Sequence, residues 1–550
     1  GPMFDFLYLV MIYAVFVNRM IGVYDSRKEG GQVNMKFWLT SCIFVLGMSL
    51  MAQAETPVKT TSNVQAPNRL APPPISEPAS VVIPKIEKRQ LSNGIPVWFM
   101  ERRTTPLVTA CLFVKAGAVN EPLDKMGLAA LTAECLDEGT AKYDALQFAE
   151  QNESIGSYFG IDQSYFGSTI SCTVPGKRFD KGLDLMAEAV IHPTFPEKEI
   201  ERLKKLRLTN FMQQREDPAS LASYAFSRLI YRNEPNNRQG YGLNGLASTY
   251  AGLTRQDVIS YYKHYYTPQN AFFSVTGAVD IDQVMQELEK RFGKWHKAKL
   301  TDSEVAAEFK AGLNKKVEDK HAAPLSALPK TDSGIGKVVY VVDRPGAHQS
   351  VLRVGRIGFA RDNEHFFSLQ VMNTALGGSF MSRLNQNLRE KNGYTYGARS
   401  MFVFRKEAGP FLVATDVQAD KTVPALREIL HEIDGMSKKM ATDELERTEN
   451  YICYGYPESF ETSLKLAQRL MEMQLYNLPD DYYATYVGNI RKVDGESMNI
   501  PRLSFFRPEQ MVMVAVGDAK AIAEQLKDEP GWRMEILPVD AVMGADVPLK

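Results

Sequence analysis

The sequence predicts an α+β protein made of two homologous halves, each a mostly antiparallel sheet flanked by helices. Three observations carry that expectation. At 550 residues, 44% of them hydrophobic, the chain exceeds what one core usually organises, so at least two domains are expected. Segments that read as strands are mixed with segments that read as helices. The second half also repeats the first. "LTRQDVISYYKHYYTPQNAFFSVTGAVDIDQVMQELEKRFGKW", from residue 253, has its counterpart in "VDGESMNIPRLSFFRPEQMVMVAVGDAKAIAEQLKDEPGW" from residue 493. "FPEKEIERLKKLRLTNFMQQREDPASLASYAFSRLIY" likewise pairs with "ATDELERTENYICYGYPESFETSLKLAQRLMEMQLY". Each copy is a mixed domain of roughly 200 residues, an ordinary size for one.

Taken in order, Gly1 and Pro2 read as the remnant of a protease cut. Residues 4–16, "FDFLYLVMIYAVF", are apolar but short for a membrane span and led by Asp5. The segment from Met35 to Ala54, "MKFWLTSCIFVLGMSLMAQA", has a Lys-bearing start, an apolar stretch and a small-x-small ending. It reads as a secretory signal cleaved after Ala54, which places the mature chain in the periplasm and makes Met35 the expected start; a membrane segment upstream is the alternative. Residues 1–54 are set aside on that basis, and the Pro-, Ser- and Thr-rich stretch 55–85 is expected to be an extended leader.

The first domain is placed at 86–296. Asn93-Gly94 between two strand-like runs signals a hairpin, and "LVTACLFVKAGAVNE" (107–121) reads as a third strand. "GLAALTAECLDEGT" (127–140) has the apolar spacing of a buried helix, and "ALQFAEQNESIG" reads as a second. A strand pair across Gly160 and Gly167 follows, then a long helical region from Lys181 in which Pro196 suits a helix start. A further helix, "TRQDVISYYKHYY", leads into the strand "NAFFSVTGAV". Residues 297–336 break the pattern as a linker, and the second domain occupies 337–547.

Charge and composition exclude several functions. With 64 basic and 65 acidic residues spread along the chain, no face recommends a nucleic-acid partner and no tail a solvating role. Cys111, Cys135, Cys172 and Cys453 show neither CxxC pairing nor metal spacing and read as core thiols. The histidines at 192, 264, 296, 321, 348, 365 and 431 show no HxxxH, HxH or HxxEH spacing. No GxSxG elbow or phosphate-binding Gly loop is present.

The runs "NGIPVWFMERRTTPLVTACLFVKAGAVNEP", "GLAALTAECLDEGT", "HPTFPEKEIERLK" and "LGGSFMSRLNQNLREKNGYTYGARS", in that order, resemble the pitrilysin/insulinase family of zinc metallopeptidases, in its two-chain bacterial and processing-peptidase branch. The resemblance spans 86–545 and implies two halves arranged as a clam shell. In that family the 127–140 stretch would carry the inverted motif H-x-x-E-H. Its two His ligate zinc from one helix face and its Glu acts as general base. Aligned on Gly127 and Gly139-Thr140, the first His becomes Ala130, the base becomes Ala133 and the second His becomes Glu134. The family's third ligand, a Glu roughly 75 residues further on, falls near Thr209 and Asn210, where no carboxylate stands. A lone Glu134 does not assemble a zinc site, so the helix reads as a vestige turned to core.

The second half retains the family's other pair. An Arg and a Tyr seven residues apart, which hold substrate backbone and stabilise the oxyanion, match Arg389 and Tyr396 in "REKNGYTY". "SRLNQNLRE" reads as helix, Asn392-Gly393 as its stop, and "YTYGARSMFVF" as a strand from which Tyr396 projects. Tyr394 reads as core, and Gly377-Gly378 reads either as a strand-to-helix turn or as a contact with substrate. The resemblance with these departures implies a noncatalytic, substrate-binding subunit of an exported zinc metallopeptidase acting on unfolded peptides. This chain would bind no metal itself; zinc is expected in an HxxEH-bearing partner, in a heterodimer or a dimer of heterodimers. The alternative is a non-enzymatic scaffold or peptide-holding protein of the same fold.

Overall fold

The computed structural model describes residues 82–234, 236–296 and 337–547. The signal segment, the upstream apolar run, most of the leader and the linker lie outside these residues.

Among the described residues, twelve strands form two sheets. The first half contributes β1 (Ile86–Gln90), β2 (Pro96–Glu101), β3 (Leu107–Val114), β4 (Tyr158–Gln163), β5 (Ser168–Pro175) and β6 (Ala271–Gly277). The second contributes β7 (Val338–Asp343), β8 (Gln349–Ile357), β9 (Ala398–Phe402), β10 (Pro410–Gln418), β11 (Val512–Gly517) and β12 (Arg533–Ile536). The orders are β1-β2-β6-β3-β5-β4 and β12-β7-β11-β8-β10-β9. Without the outer strands β1 and β12, the two match strand for strand. In each, the first pair is parallel and the next three are antiparallel. The internal repeat is therefore a repeat of topology, and the two-halved α+β arrangement expected from the sequence is present.

Five helices matter below: α1 (Leu128–Glu134), α2 (Ala145–Ser154), α3 (Glu197–Glu216), α4 (Pro218–Ile230) and α5 (Ser463–Tyr476). The start of α4 is written locally: Asp217 Oδ2 accepts from Ser220 N at 2.8 Å, and Pro218 fills a position whose N–H has no helical partner. Thr462 caps α5 in the same way, its hydroxyl accepting from Lys465 N at 3.1 Å.

These two helices are exchanged between the halves. First-half α4 packs its stripe of Leu221, Ala222, Ala225, Phe226 and Leu229 on β8 and β11 of the second sheet. Second-half α5 packs Leu466, Leu470 and Met473 against β3 and β6 of the first. Gln474 Nε2 of α5 donates to Phe273 O at 3.1 Å and Ser274 Oγ at 2.8 Å, which ties it to β6. Covered on both faces, β3, β6 and β11 bury nearly every residue. This is why their sequences run apolar without alternation. At roughly 1.5–3 kcal/mol for each large side chain buried, the exchange opposes any wide separation of the halves.

The sequence reading is corrected in four places. The strand placed at 107–121 stops at Val114, and the helix placed at 127–140 stops at Glu134. Gly377-Gly378 ends the helical run that starts at Phe366, so it is a helix-to-helix corner and not a strand-to-helix turn. A Cβ on Gly377 would lie 2.4 Å from Ser400 N, which shows how closely β9 crosses there. Tyr396 lies in the loop before β9, which begins at Ala398.

Candidate functional site

In the first half, α1 is buried from Leu128 to Ala133. Its N-terminus is held by Glu121, whose Oε1 and Oε2 accept from Gly127 N and Ala129 N, each at 2.9 Å. Carboxylate at a helix N-terminus satisfies orphan donors and complements the helix dipole. Arg238 completes the arrangement, its Nε donating to Glu121 at 2.6 Å and its two terminal nitrogens to Gly242 O and Leu243 O. Burial pushes the Glu121 carboxyl up, opposed first by Arg238 and then by the backbone donors. Sequence reasoning missed this pair. A capping signal reaches about three residues, whereas Glu121 stands six before Gly127 and Arg238 is remote.

Ala130 and Ala133 are 2% and 1% exposed, so methyl groups in packed surroundings occupy the places of a ligand and a base. The Glu134 carboxylate forms an ion pair with Arg207 of α3. Arg207 and Phe211, one turn apart on α3, face this region; Phe211 meets the buried Tyr250 edge-on at 6.0 Å. The element that should supply the third ligand therefore presents a guanidinium, two positions before Thr209. A fixed cation beside the one remaining carboxylate disfavours a divalent metal there by charge as well as by lack of donors. The residues present do not fit zinc. Among the described residues no three His, Cys, Asp or Glu side chains are grouped so as to hold a metal ion.

Just past α1, Arg202 of α3 bridges Glu138 and Glu199 at 2.6 Å each. Asp137 is half-buried, and desolvation, with Glu138 adding to it, pushes its carboxyl up to about 6. Cys111, Cys135, Cys172 and Cys453 are buried thiols.

In the second half, the helical segment Asn385–Lys391 carries Arg389 near its end. Gly393 then reverses the chain at φ +64, a conformation that a side chain would disfavour. The loop that follows is pinned through its backbone. Tyr394 N donates to Leu388 O at 2.8 Å, and Asn392 Nδ2 donates to Asn387 Oδ1 at 2.6 Å. Thr395 Oγ1 accepts from Gly397 N at 3.1 Å, and Ala398 N donates to Asn385 Oδ1 at 2.9 Å. Asn387 Nδ2 in turn reaches Glu428 and Glu432. Asn385 and Asn387 were missed in the sequence; the visible signal was two amides at buried helical positions in "LNQNL".

On this rigid loop Tyr396 stands 95% exposed, with no hydrogen bond among the described residues. The Arg389 guanidinium lies 4.5 Å from the centre of the Phe380 ring and 3.4 Å from Glu390. Phe380 and Met381 are exposed beside it. Tyr394 packs partly buried against the second core. The helix end and the loop thus place Arg389 and Tyr396 on either side of one turn, both reachable from solvent. Neither bonds to the other or to Glu134.

Comparison with known proteins agrees with this architecture. The family model described as Insulinase (Peptidase family M16) matches residues 97–241, and that described as Peptidase M16 inactive domain matches residues 252–451. An uncharacterized zinc protease of Rickettsia felis is 23% identical over 367 residues, covering 66% of this chain and 81% of the relative. One of Bacillus subtilis is 24% identical over 325 residues, covering 59% and 72%. A peptidase M16 inactive domain from Pseudomonas fluorescens superposes with a TM-score of 0.67 at 22% identity, covering 79% of this chain and 98% of that one. A protease from Helicobacter pylori gives 0.62 at 18%, covering 79% and 100%. With two matched models that together take in more than half its length, this chain belongs to the pitrilysin/insulinase peptidase family, M16, as a member without the H-x-x-E-H motif.

Proposed function

We propose that this chain is the noncatalytic, substrate-binding subunit of a heteromeric peptidase, acting on unfolded peptides outside the cytoplasm and paired with an HxxEH-bearing relative. The observation that carries the reading is the contrast within the chain: the first-half helix is packed and charge-neutralised, whereas Tyr396 stands exposed on a pinned loop and Arg389 is half-exposed at the end of the helical segment before it. The partner would supply the metal and the general base. Arg389 offers fixed N–H donors to a peptide carbonyl, and the Tyr396 phenol can donate to the oxygen that becomes negative in the tetrahedral intermediate. A loop already ordered loses little freedom when it does so. The export signal read at Met35–Ala54 supports the location.

The test is a native pull-down of the mature chain from its own cells, followed by reconstitution with the recovered protein. A stoichiometric HxxEH partner, whose peptide cleavage requires this chain and falls on Arg389→Ala, is the expected result. Recovery of the chain alone, or cleavage indifferent to Arg389 and Tyr396, would make it a peptide-holding or scaffold protein instead.

A further inference from the structure

A cavity of about 530 Å³ opens between the halves, lined by neither α1 nor Arg389 and Tyr396. Trp98, Phe166 and Phe272 of the first half line it, with Gln474 from the exchanged helix α5. Two lysines are also in the lining: Lys115, directly after β3, and Lys406, from the β9–β10 connection. Both are exposed, and neither has an ion-pair partner among the described residues. A third cation, Lys88, lies 4.0 Å from the Trp98 ring, but Asp480 neutralises it.

Both lysines stand on fixed backbone. Lys115 N donates to Asn270 O at 2.9 Å. The connection carrying Lys406 is clamped to the first half on either side. Arg405 Nη1 donates to Gln239 Oε1 at 2.7 Å and its guanidinium lies 4.4 Å from the Tyr165 ring, while Tyr231 Oη donates to Ala408 O at 2.9 Å. Phe272 is held by stacking on Phe113 at 5.1 Å.

The same clamped connection sends its next residue, Glu407, into a neighbouring cavity of about 410 Å³, where Glu234 also lies. Val119 lines both cavities, so they adjoin. Arg238 touches the second cavity, but its guanidinium is spent on Glu121 and two carbonyls. Charge thus reverses across Val119, from two unpaired cations among aromatic rings to two carboxylates.

We propose that the larger cavity binds a polypeptide segment carrying a carboxylate beside an aromatic or aliphatic side chain, with Lys115 and Lys406 taking the carboxylate and the aromatic wall taking the apolar group. Aromatic walls with few placed charges suit an amphipathic anion. The adjoining cavity of opposite sign favours a chain bearing groups of both charges over a lone small acid. The site rests on these cavities and not on any cleavage.

Calorimetric titration of the isolated chain tests it with acetyl-Glu-Phe-Ala-Ala-Lys-amide, the same peptide with Gln for Glu, and phenylpropionate. The Glu peptide is expected to bind at least about tenfold tighter than the Gln peptide, and added salt should erode the preference. Lys115→Gln/Lys406→Gln should abolish it without altering the melting curve, since both side chains are exposed. Equal affinity for the two peptides, an unchanged preference in the double variant, or binding of phenylpropionate alone would each overturn the proposal. Peptide binding in a chain that never supports a partner's cleavage would keep this site and sink the composite peptidase.

Discussion

In the first half, α2 runs into Gly156 at φ +64, and one residue later the chain enters β4. In the second, the matching helical segment runs into Gly393, also at φ +64, and four residues pass before β9. The turn is the same, and the lengthened connection carries Tyr396. The two copies also differ in what they leave exposed. First-half α1 is sealed by the Glu121–Arg238 and Glu134–Arg207 pairs, whereas the second half leaves Phe380, Met381 and Tyr396 exposed. The comparison teaches that one topology can be turned toward packing in one copy and toward presentation in the other, through a few side chains and a longer loop.

The sharpest break of that comparison is on the sealed side. Arg238→Ala leaves Glu121 buried without its counter-charge and should cost about 3–5 kcal/mol in urea denaturation; a cost near zero would mean that α1 is not held as described. On the presented side, Arg389→Ala should lower cleavage by the assembled complex about 10²-fold while leaving the chain's denaturation midpoint nearly unmoved, because the side chain meets only the exposed Phe380 ring and the exposed neighbour Glu390. A loss of stability equal to the loss of activity would erase the distinction between the halves. Ala130→His, which restores a ligand in name, should destabilise by about 1–3 kcal/mol through overpacking, and equilibrium dialysis should find no stoichiometric zinc beside Arg207.

A pH dependence is expected as well. Asp137 holds its carboxyl at about 6 in the fold, above its unfolded value, so between the ordinary carboxyl range and about 6 the folded state retains a proton that the unfolded state releases. Stability should therefore fall as pH rises through that window and level off above it. Asp137→Asn should flatten this dependence, raising the melting temperature at about pH 7.5 and leaving it unchanged at about pH 4. An unaltered pH profile would place the group in water.

Much of the fold was legible because its determinants are local. Asn93-Gly94 joins β1 and β2 with Ile86 opposite Met100, and Pro196 precedes α3 directly. The repeat marked equivalent strands correctly. What escaped were contacts between residues far apart in the chain. Nothing near Glu134 announces Arg207, and nothing near Asn385 announces the strand end at Ala398. The strand reading of Tyr396 failed because β-propensity in "YTYGARS" could not show that Asn385 and Thr395 would hold its first residues in a loop.

By itself the sequence determined the two-copy α+β plan, the loss of the H-x-x-E-H donors and the spacing of Arg389 and Tyr396, since each depends on residue identity and short-range order. Only the tertiary structure decided that α4 and α5 cross to the opposite sheets, that Arg207 neutralises the last carboxylate of the old motif, and that Lys406 and Glu407 enter two adjoining cavities. These are matters of which surfaces meet, set by burying apolar faces and pairing charges across long stretches of chain, and no local pattern encodes them.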